Sequence, residues 1–211
     1  MNHLAHFFLS GKDEDITIGN FIADFISNKE VDNYTEGVQK GIRLHREIDA
    51  FTDAHDVVKQ STKRLHPYHH KYSPVIVDIY YDFLLAKNWN TFTQNTHIEG
   101  VSIRDFTHKM YSLLKARRHK LPQKLMQRLD RMIADDWLMK YTTYEGLNAA
   151  FNRIEKYAAF PGNFGNAALH LEMFLADFDQ EFNAFFPDLV QYVKAVLEKI
   201  GEEDWAFNDS I

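Results

Sequence analysis

Apolar residues recur along this chain at spacings of three and four, and no long alternation of apolar and polar residues is present. The first pattern is typical of helices with one buried face, and the second would have indicated strands. Glycine and proline are scarce, with 9 and 5 among 211 residues, so few breaks are expected. Helices are predicted over residues 17–27, 35–51, 56–66, 73–89, 102–119, 122–141, 143–159 and 166–200, the last broken near Pro187. The fold class that this pattern predicts is all-α.

The helices are expected to form a single-domain multi-helix bundle over residues 1–211. The polar stretch 90–101 is predicted to link helices in 1–90 to a second group in 101–211, and 161–165 is predicted to be a loop. Hydrophobic residues make up 45% of the chain, and its 17 phenylalanines can fill a large core. The phenylalanines predicted to be in the core by their helical spacing are Phe174, Phe178, Phe182, Phe185 and Phe186.

Several classes of protein are excluded by what the sequence lacks. It has no cysteine, which excludes disulfides, thiolate zinc sites and a cysteine nucleophile. No apolar run approaches the roughly 18 residues of a membrane span, and the first residues lack the basic start of a signal peptide. We therefore expect a cytoplasmic protein with no membrane partner. Phosphate loops of the GxxxxGK[ST] and GxGxxG types, the GxSxG elbow and the HExxH helix are absent.

Basic residues are concentrated in one stretch of an otherwise acidic chain. The net charge of −6 argues against a nucleic-acid partner. The stretch 115–131 nevertheless contains seven lysines and arginines, opposed only by Asp130. Because a local basic surface can steer an acidic partner, Arg117, Arg118 and Lys120 are predicted to dock one. The alternative is a solvent-exposed helix face without a partner.

Three pairs of polar side chains, each four residues apart, interrupt strongly apolar segments. Residues four apart share one face of a helix, so both members of a pair can point at one ligand. A carboxylate in an apolar setting is costly to bury without a cation. The pairs are Asn20 with Asp24, His45 with Asp49 and then Asp53 one turn further, and Asp78 with Asp82.

A metal ion shared by these helices would offset the cost of burying their carboxylates. Imidazole and carboxylate ligands suit Mn²⁺, Mg²⁺, Fe²⁺ or Zn²⁺. Two of the pairs also have an interpretation without a metal. In that interpretation His45 hydrogen-bonds to Asp49, and Asp78 and Asp82 pair with Arg43 or Arg46.

The remaining histidines are weaker candidates for a site. His3 and His6 lie near the N-terminus, where they are either exposed or docked into the core with the apolar run that follows. A second group is predicted to form an exposed turn around Pro67. Its members are His66, His69 and His70.

Four motifs follow one another within residues 1–90. They are Met1-Asn2-x-Leu4-Ala5-His6, Gly19-Asn20-Phe21-Ile22-Ala23-Asp24-Phe25, Gly41-Ile42-x-Leu44-His45-Arg46-x-Ile48-Asp49-Ala50-Phe51-Thr52-Asp53 and Asp78-x-x-Tyr81-Asp82-x-x-Leu85-Ala86-x-x-Trp89. Together they resemble the acyl carrier protein phosphodiesterase family, which is similar to a divergent branch of the HD-type metal phosphohydrolases. Beyond them, the resemblance is limited to helical character and the stretch 162–164.

The resemblance implies an HD-phosphohydrolase-like all-α fold and a divalent metal, usually Mn²⁺. It also implies hydrolysis of the phosphodiester that joins 4′-phosphopantetheine to a serine of holo-acyl carrier protein, an acidic protein substrate. His6 and Arg46 are predicted to assist the leaving serine oxygen, and Asn20 to bind substrate or a water. The residues whose matched positions imply a role in the metal site are Asp24, His45, Asp49, Asp78 and Asp82.

One position departs from the pattern of that family. The family commonly has Asp-His where this chain has Asp82-Phe83. If the missing histidine is a ligand or an acid, the change affects catalysis. If the side chain at this position points about 100° round the helix from Asp82, only packing changes.

Two other functions are compatible with the same residues. One is an HD-type hydrolase that acts on a nucleotide or another small phosphodiester. The other is a non-catalytic helical binding module, in which the Asp and His pairs are buried ion pairs. Turnover without a carrier protein would distinguish the first, and melting unchanged by Mn²⁺ would distinguish the second.

Overall fold

The chain folds into a succession of α-helices joined by turns and 3₁₀ segments. The computed structural model describes residues 1–201, so the end of the predicted domain, at residue 211, lies outside the described part. Within residues 1–201 there is no β-strand, which confirms the all-α prediction. The α-helices are α1 (His3–Phe8), α2 (Glu14–Ile22), α3 (Glu36–Ala54), α4 (Asp56–His69), α5 (Ser73–Lys87), α6 (Trp89–Thr93), α7 (Ile103–Ala116), α8 (Met126–Ala134), α9 (Trp137–Lys140), α10 (Tyr144–Glu155), α11 (Ala167–Met173) and α12 (Leu175–Lys199). None of these described helices combines the length and the apolar character needed to cross a membrane.

Two predicted helices are divided in the structure. The helix predicted over 122–141 is interrupted between α8 and α9, where Asp136 has a left-handed backbone with φ of 48°. The C-terminal helix is interrupted at Phe174, between α11 and α12, and not near Pro187 as predicted. Part of the predicted linker, 90–101, is also helical, since α6 runs into it.

Two prolines lie inside helices that were predicted to end or break beside them. Pro67 falls within α4 and Pro187 within α12. A proline inside a helix removes one backbone hydrogen bond and costs about 3 kcal/mol. In α12 this cost is offset by an apolar face on both sides of Pro187, because Phe185, Phe186 and Leu189 are fully buried. Burial of one phenylalanine side chain contributes about 1.5–3 kcal/mol.

The core is built around α12, which packs against α3, α4 and α5. The phenylalanine rings of α12 stack on each other, with the Phe182 and Phe186 centroids 4.9 Å apart. Phe92 of α6 meets the Phe186 ring edge-on at 4.8 Å. Four of the five predicted core phenylalanines are fully buried, and Phe174, at the break before α12, is only partly covered.

Helices α2 and α3 approach each other unusually closely because a glycine lies on each contact face. A Cβ atom on Gly19 would lie 2.0 Å from the carbonyl oxygen of Val38, and one on Gly41 would lie 2.1 Å from that of Ile16. Any larger residue would therefore push the two backbones apart. This contact brings Asn20, next to Gly19, close to His45, one turn after Gly41.

The short N-terminal helix α1 was not predicted, and Asp82 of α5 holds it in place. Both carboxylate oxygens of Asp82 accept backbone N–H groups at the start of α1, from Leu4 at 2.9 Å and Ala5 at 3.0 Å. Burial raises the pKa of Asp82 to about 7, although these two donors favour its charged form. Of the two alternatives for the N-terminal segment, docking into the core is therefore the one that occurs.

One residue of the predicted exposed histidine turn is fully buried. His69 shares a hydrogen bond of 3.0 Å with the Gly162 carbonyl and one of 2.9 Å with His170. The prediction was wrong for His69 because α4 continues past Pro67 and carries this ring into the core. These two hydrogen bonds attach α4 to the loop before α11 and to α11 itself.

Candidate metal centre

Three side chains from α1 and α3 converge on one point. Each of His6, His45 and Asp49 offers a ligand atom, and these atoms all lie within 4.8 Å of one another. The two imidazole rings are stacked with centroids 4.1 Å apart and planes 16° from parallel. Both histidines are buried, whereas Asp49 is partly exposed and closes the group towards solvent.

Asn20 determines which nitrogen of each ring is available to a ligand. Its side-chain amide donates to the His6 carbonyl at 3.0 Å and to Ser10 Oγ at 2.9 Å, so its oxygen faces the rings. That oxygen accepts from His6 Nδ1 at 2.8 Å, and the Asn20 backbone carbonyl accepts from His45 Nδ1 at 2.8 Å. With both protons on Nδ1, the Nε2 lone pairs are free to bind a cation.

The two Nε2 atoms face carboxylate oxygens at short distances. His6 Nε2 lies 3.2 Å from Asp49 Oδ1, and His45 Nε2 lies 3.1 Å from Asp49 Oδ2 and 3.1 Å from Asp24 Oδ1. His6 Nε2 is nevertheless buried without an aligned hydrogen-bond partner. An imidazole lone pair beside a carboxylate requires a cation between them, either a proton or a metal. The donor set therefore fits a divalent ion.

The protonation of the group supports this interpretation. Burial lowers the pKa of His6 to about 4, so its ring is neutral at pH 7. Burial also opposes charge on His45, but its hydrogen bonds to Asp24 and Asp49 raise its pKa to about 9. Although burial opposes charge on Asp49 too, the hydrogen bond from His45 and the neighbouring His6 ring hold the pKa of its carboxyl well below the usual range. A proton on His45 thus occupies the place that a divalent ion can take.

The comparison with known proteins identifies the family. A family model described as acyl carrier protein phosphodiesterase matches residues 1–189. This chain belongs to the acyl carrier protein phosphodiesterase family. The candidate centre lies wholly within the matched residues, as do the four motifs of the N-terminal half.

The relatives in this family are distant but cover most of the chain. The acyl carrier protein phosphodiesterase of Photorhabdus laumondii is 27% identical over 90% of this chain and 94% of its own length. That of Pectobacterium atrosepticum is 26% identical over 92% of this chain and 98% of its own length. That of Escherichia coli O6:H1 is 23% identical over 72% of this chain and 76% of its own length. No solved structure matches the chain significantly, so the similarity to HD-type phosphohydrolases stays a prediction.

Asp24 lies at the edge of the centre in this member of the family. It does not lie on α2 with Asn20 but in the 3₁₀ segment Ala23–Phe25 that follows. Its carboxylate is about half exposed and bonds to His45. Because of that hydrogen bond the pKa of the Asp24 carboxyl is lowered. It is therefore charged at neutral pH and open to a ligand from the solvent side.

The structure places Asp78 and Asp82 outside the group of converging ligand atoms. Asp78 Oδ1 lies 3.2 Å from the amino group of Met1, which in turn lies 3.4 Å from Asp49. Both oxygens of Asp82 are occupied by the amides of α1. The alternative pairing of these carboxylates with arginines 43 and 46 does not occur either, since both arginines are exposed on α3 and no ion pair joins them within the described residues.

The structure gives the surroundings of two other predicted site residues and of the residue that departs from the family pattern. Asn20 was predicted to bind substrate or a water; its side chain is 1% exposed, and all its polar side-chain atoms bond within the protein. Arg46 is exposed and forms no ion pair or hydrogen bond in the part of the chain that the structure describes. Phe83 packs against Tyr144 of α10, with ring centroids 5.0 Å apart.

The residues predicted to dock a partner are each bound by a carboxylate of this chain. Arg117 Nε lies 3.0 Å from Glu14, Arg118 lies 2.9 Å from Asp130 and Lys120 lies 2.6 Å from Asp15. Each of these pairs is at least partly exposed. Their role in docking stays a prediction, and their charges are already balanced within the chain.

Proposed function

We propose that this chain hydrolyses the phosphodiester between 4′-phosphopantetheine and the serine of holo-acyl carrier protein. The products are apo-acyl carrier protein and 4′-phosphopantetheine. Membership of the family, whose relatives carry this activity in their names, supports the substrate. The observation that carries the proposal is the pair of buried imidazoles whose Nε2 atoms face Asp49. As part of the same proposal we place the protein in the cytoplasm.

His6, His45 and Asp49 would hold the metal, with Asp24 at its open side. Two imidazole nitrogens and carboxylate oxygens are compatible with Mn²⁺, which we propose, and also with Mg²⁺ or Fe²⁺. When bound, such an ion lowers the pKa of a water and neutralises charge on phosphoryl oxygens. Asp78 and Asp82 were expected to be ligands. We now assign Asp82 to holding α1, and thereby His6, in position.

The protein's own groups have distinct tasks in this scheme. Asn20 accepts the Nδ1 protons of both rings, which leaves each Nε2 as the atom that can bind the ion once the proton on His45 is displaced. Asp24 can accept a hydrogen bond from a water at the open side. The leaving serine oxygen was predicted to be assisted by His6 or Arg46. The Nδ1 proton of His6 is held by Asn20, so this ring suits ligation better than proton donation. Arg46 stays a prediction as the cation near the serine.

A substrate panel tests the proposed function. Purified protein with Mn²⁺ should convert holo-acyl carrier protein to the apo form, as measured by mass spectrometry, and a chelator should stop the conversion. Small phosphodiesters, including cyclic and dinucleotide compounds, should be hydrolysed far more slowly. Fast turnover of a small phosphodiester without carrier-protein turnover would replace the substrate with a nucleotide. No turnover of any compound, and melting unaffected by Mn²⁺, would contradict an enzymatic role.

A further inference from the structure

Three arginines near the candidate centre lack the internal carboxylate partners that several other basic residues have. Arg128 and Arg131 of α8 and Arg153 of α10 form no ion pair with any residue in 1–201. Within the same basic stretch, Lys120 and Lys124 do form such pairs. Three unpaired guanidinium groups in a protein of net charge −6 indicate a site for an anion.

All three arginines line one cavity of about 1100 Å³. Asp24 and Asp78 line the same cavity, so it reaches the edge of the candidate centre. Concave sites of this size bind small molecules, whereas a protein surface docks on a flatter face. The cavity therefore fits an extended small group that continues from the bond being cleaved.

Aromatic rings hold two of the guanidinium groups. The Arg153 guanidinium lies 3.8 Å from the centre of the Trp137 ring, and that of Arg128 lies 5.6 Å from the same ring. Arg128 also lies 5.0 Å from the Phe25 ring, beside Asp24. Stacking on a ring fixes the plane of a guanidinium while its N–H edge stays free for an oxyanion. These two groups are thus positioned for a phosphate.

The rest of the cavity wall is largely apolar. Tyr72 contributes to it from the turn before α5, Ile79 from α5 and Ile154 from α10. At its rim Val75 is 46% exposed and Tyr157 is 80% exposed, although both are large hydrophobic residues. An uncharged chain with amide and methyl groups matches this wall.

We propose that this cavity binds the 4′-phosphopantetheine arm of the substrate, with Arg128 and Arg153 on the phosphate and the apolar wall against the uncharged chain. Arg131, at the cavity's edge, adds positive charge. This inference rests on the proposed function for the identity of the ligand. The observed unpaired arginines, stacked rings and adjoining carboxylates do not depend on it.

Binding of the product tests the cavity without any turnover. In calorimetry, free 4′-phosphopantetheine should bind the wild-type protein, and pantetheine, which lacks the phosphate, should bind more weakly. Arg153→Gln should weaken binding of 4′-phosphopantetheine by at least about tenfold, since a charged hydrogen bond is lost. Arg131→Gln, at an exposed residue that will not disturb folding, should weaken it less. Arg104→Gln, an exposed arginine outside the cavity, is the matched control.

Kinetics with the carrier protein distinguish binding of the 4′-phosphopantetheine arm from binding of the carrier protein itself. Arg153→Gln should raise KM for holo-acyl carrier protein and leave the affinity for apo-acyl carrier protein unchanged. If Arg153→Gln weakened binding of the apo and holo forms equally, the arginines would bind the carrier protein itself, which would overturn the inference. If Arg117→Gln raised KM for holo-acyl carrier protein more than Arg153→Gln did, the inference would also be overturned, and the stretch 115–131 would be the better candidate for docking.

The two proposals can fail separately. Hydrolysis of the carrier protein without detectable binding of 4′-phosphopantetheine, or equal binding of pantetheine, would overturn the cavity inference alone. Arginine-dependent binding of 4′-phosphopantetheine without any hydrolysis would overturn the proposed function alone.

Discussion

At the scale of single residues, the candidate centre depends on one amide. Asn20 accepts the Nδ1 proton of His6 and, through its backbone carbonyl, that of His45. An imidazole can bind a metal only through a nitrogen without a proton. A buried asparagine behind two histidines therefore does what a carboxylate or carbonyl usually does behind a metal-bound histidine.

Replacing this amide should weaken the site without removing a ligand. Asn20→Ala leaves the His6 Nδ1 proton without its acceptor, so the ring can turn or change tautomer. We expect the affinity for Mn²⁺ to fall by about 10- to 100-fold, as measured by calorimetry. Asn33→Ala, at an exposed asparagine, is the control. If both variants bound Mn²⁺ equally well, the orienting role of Asn20 would be wrong.

Sequence reasoning identified most residues of the centre but not how they are divided between tasks. His45 and Asp49 were found because their spacing of four is set by helix geometry alone, and both belong to the converging group. Asp82 has the same spacing from Asp78, but its partner is an unpredicted helix. Which carboxylate joins the candidate centre and which accepts backbone amides depends on tertiary contacts that spacing does not contain.

At the scale of elements, the site depends on the close contact between α2 and α3. Gly19 and Gly41 let the backbones approach until an added Cβ would overlap a carbonyl oxygen. Elsewhere in a helix, glycine costs about 1 kcal/mol relative to alanine. Here the close approach outweighs this cost, because it places Asn20 against His45.

Substitution at the contact should therefore reverse the usual effect of alanine. Gly41→Ala puts a Cβ 2.1 Å from the Ile16 oxygen, so we expect the free energy of unfolding in urea to fall by about 1–3 kcal/mol. Gly165→Ala, whose Cβ would find its nearest neighbour at 3.9 Å, should change it little. A Gly41→Ala protein as stable as the wild type, or more stable, would contradict the tight contact.

The long helices were predictable in position, whereas the short helices and the breaks between helices were not. Long periodic segments such as α3 and α7 were found because their apolar faces recur over several turns. The helix α1 was missed because six residues are too few to show a period. The break at Phe174 was missed because no glycine or proline marks it, and Pro187 was misjudged because packing of α12 outweighs its local cost.

At the scale of the whole molecule, the three arginines that line the cavity form no ion pair within residues 1–201. The basic stretch was predicted to act as one surface, but Arg117, Arg118 and Lys120 are bound to carboxylates of α2 and α8. The guanidinium groups that line the cavity come from α8 and α10 together, so no single stretch of sequence contains them. Only the folded chain brings them beside Asp24, at the edge of the centre.

The most direct test of the metal centre compares two carboxylates on the same helix. Asp49 lies in the converging group, whereas Asp53, one turn further along α3, is exposed and outside it. Conversion of holo- to apo-acyl carrier protein should be measured by mass spectrometry with Mn²⁺ added to dialysed protein. We expect Asp53→Asn to act at the wild-type rate and Asp49→Asn to be at least about 100-fold slower, with its bound Mn²⁺ lost. An Asp49→Asn protein that works at the wild-type rate would contradict the account.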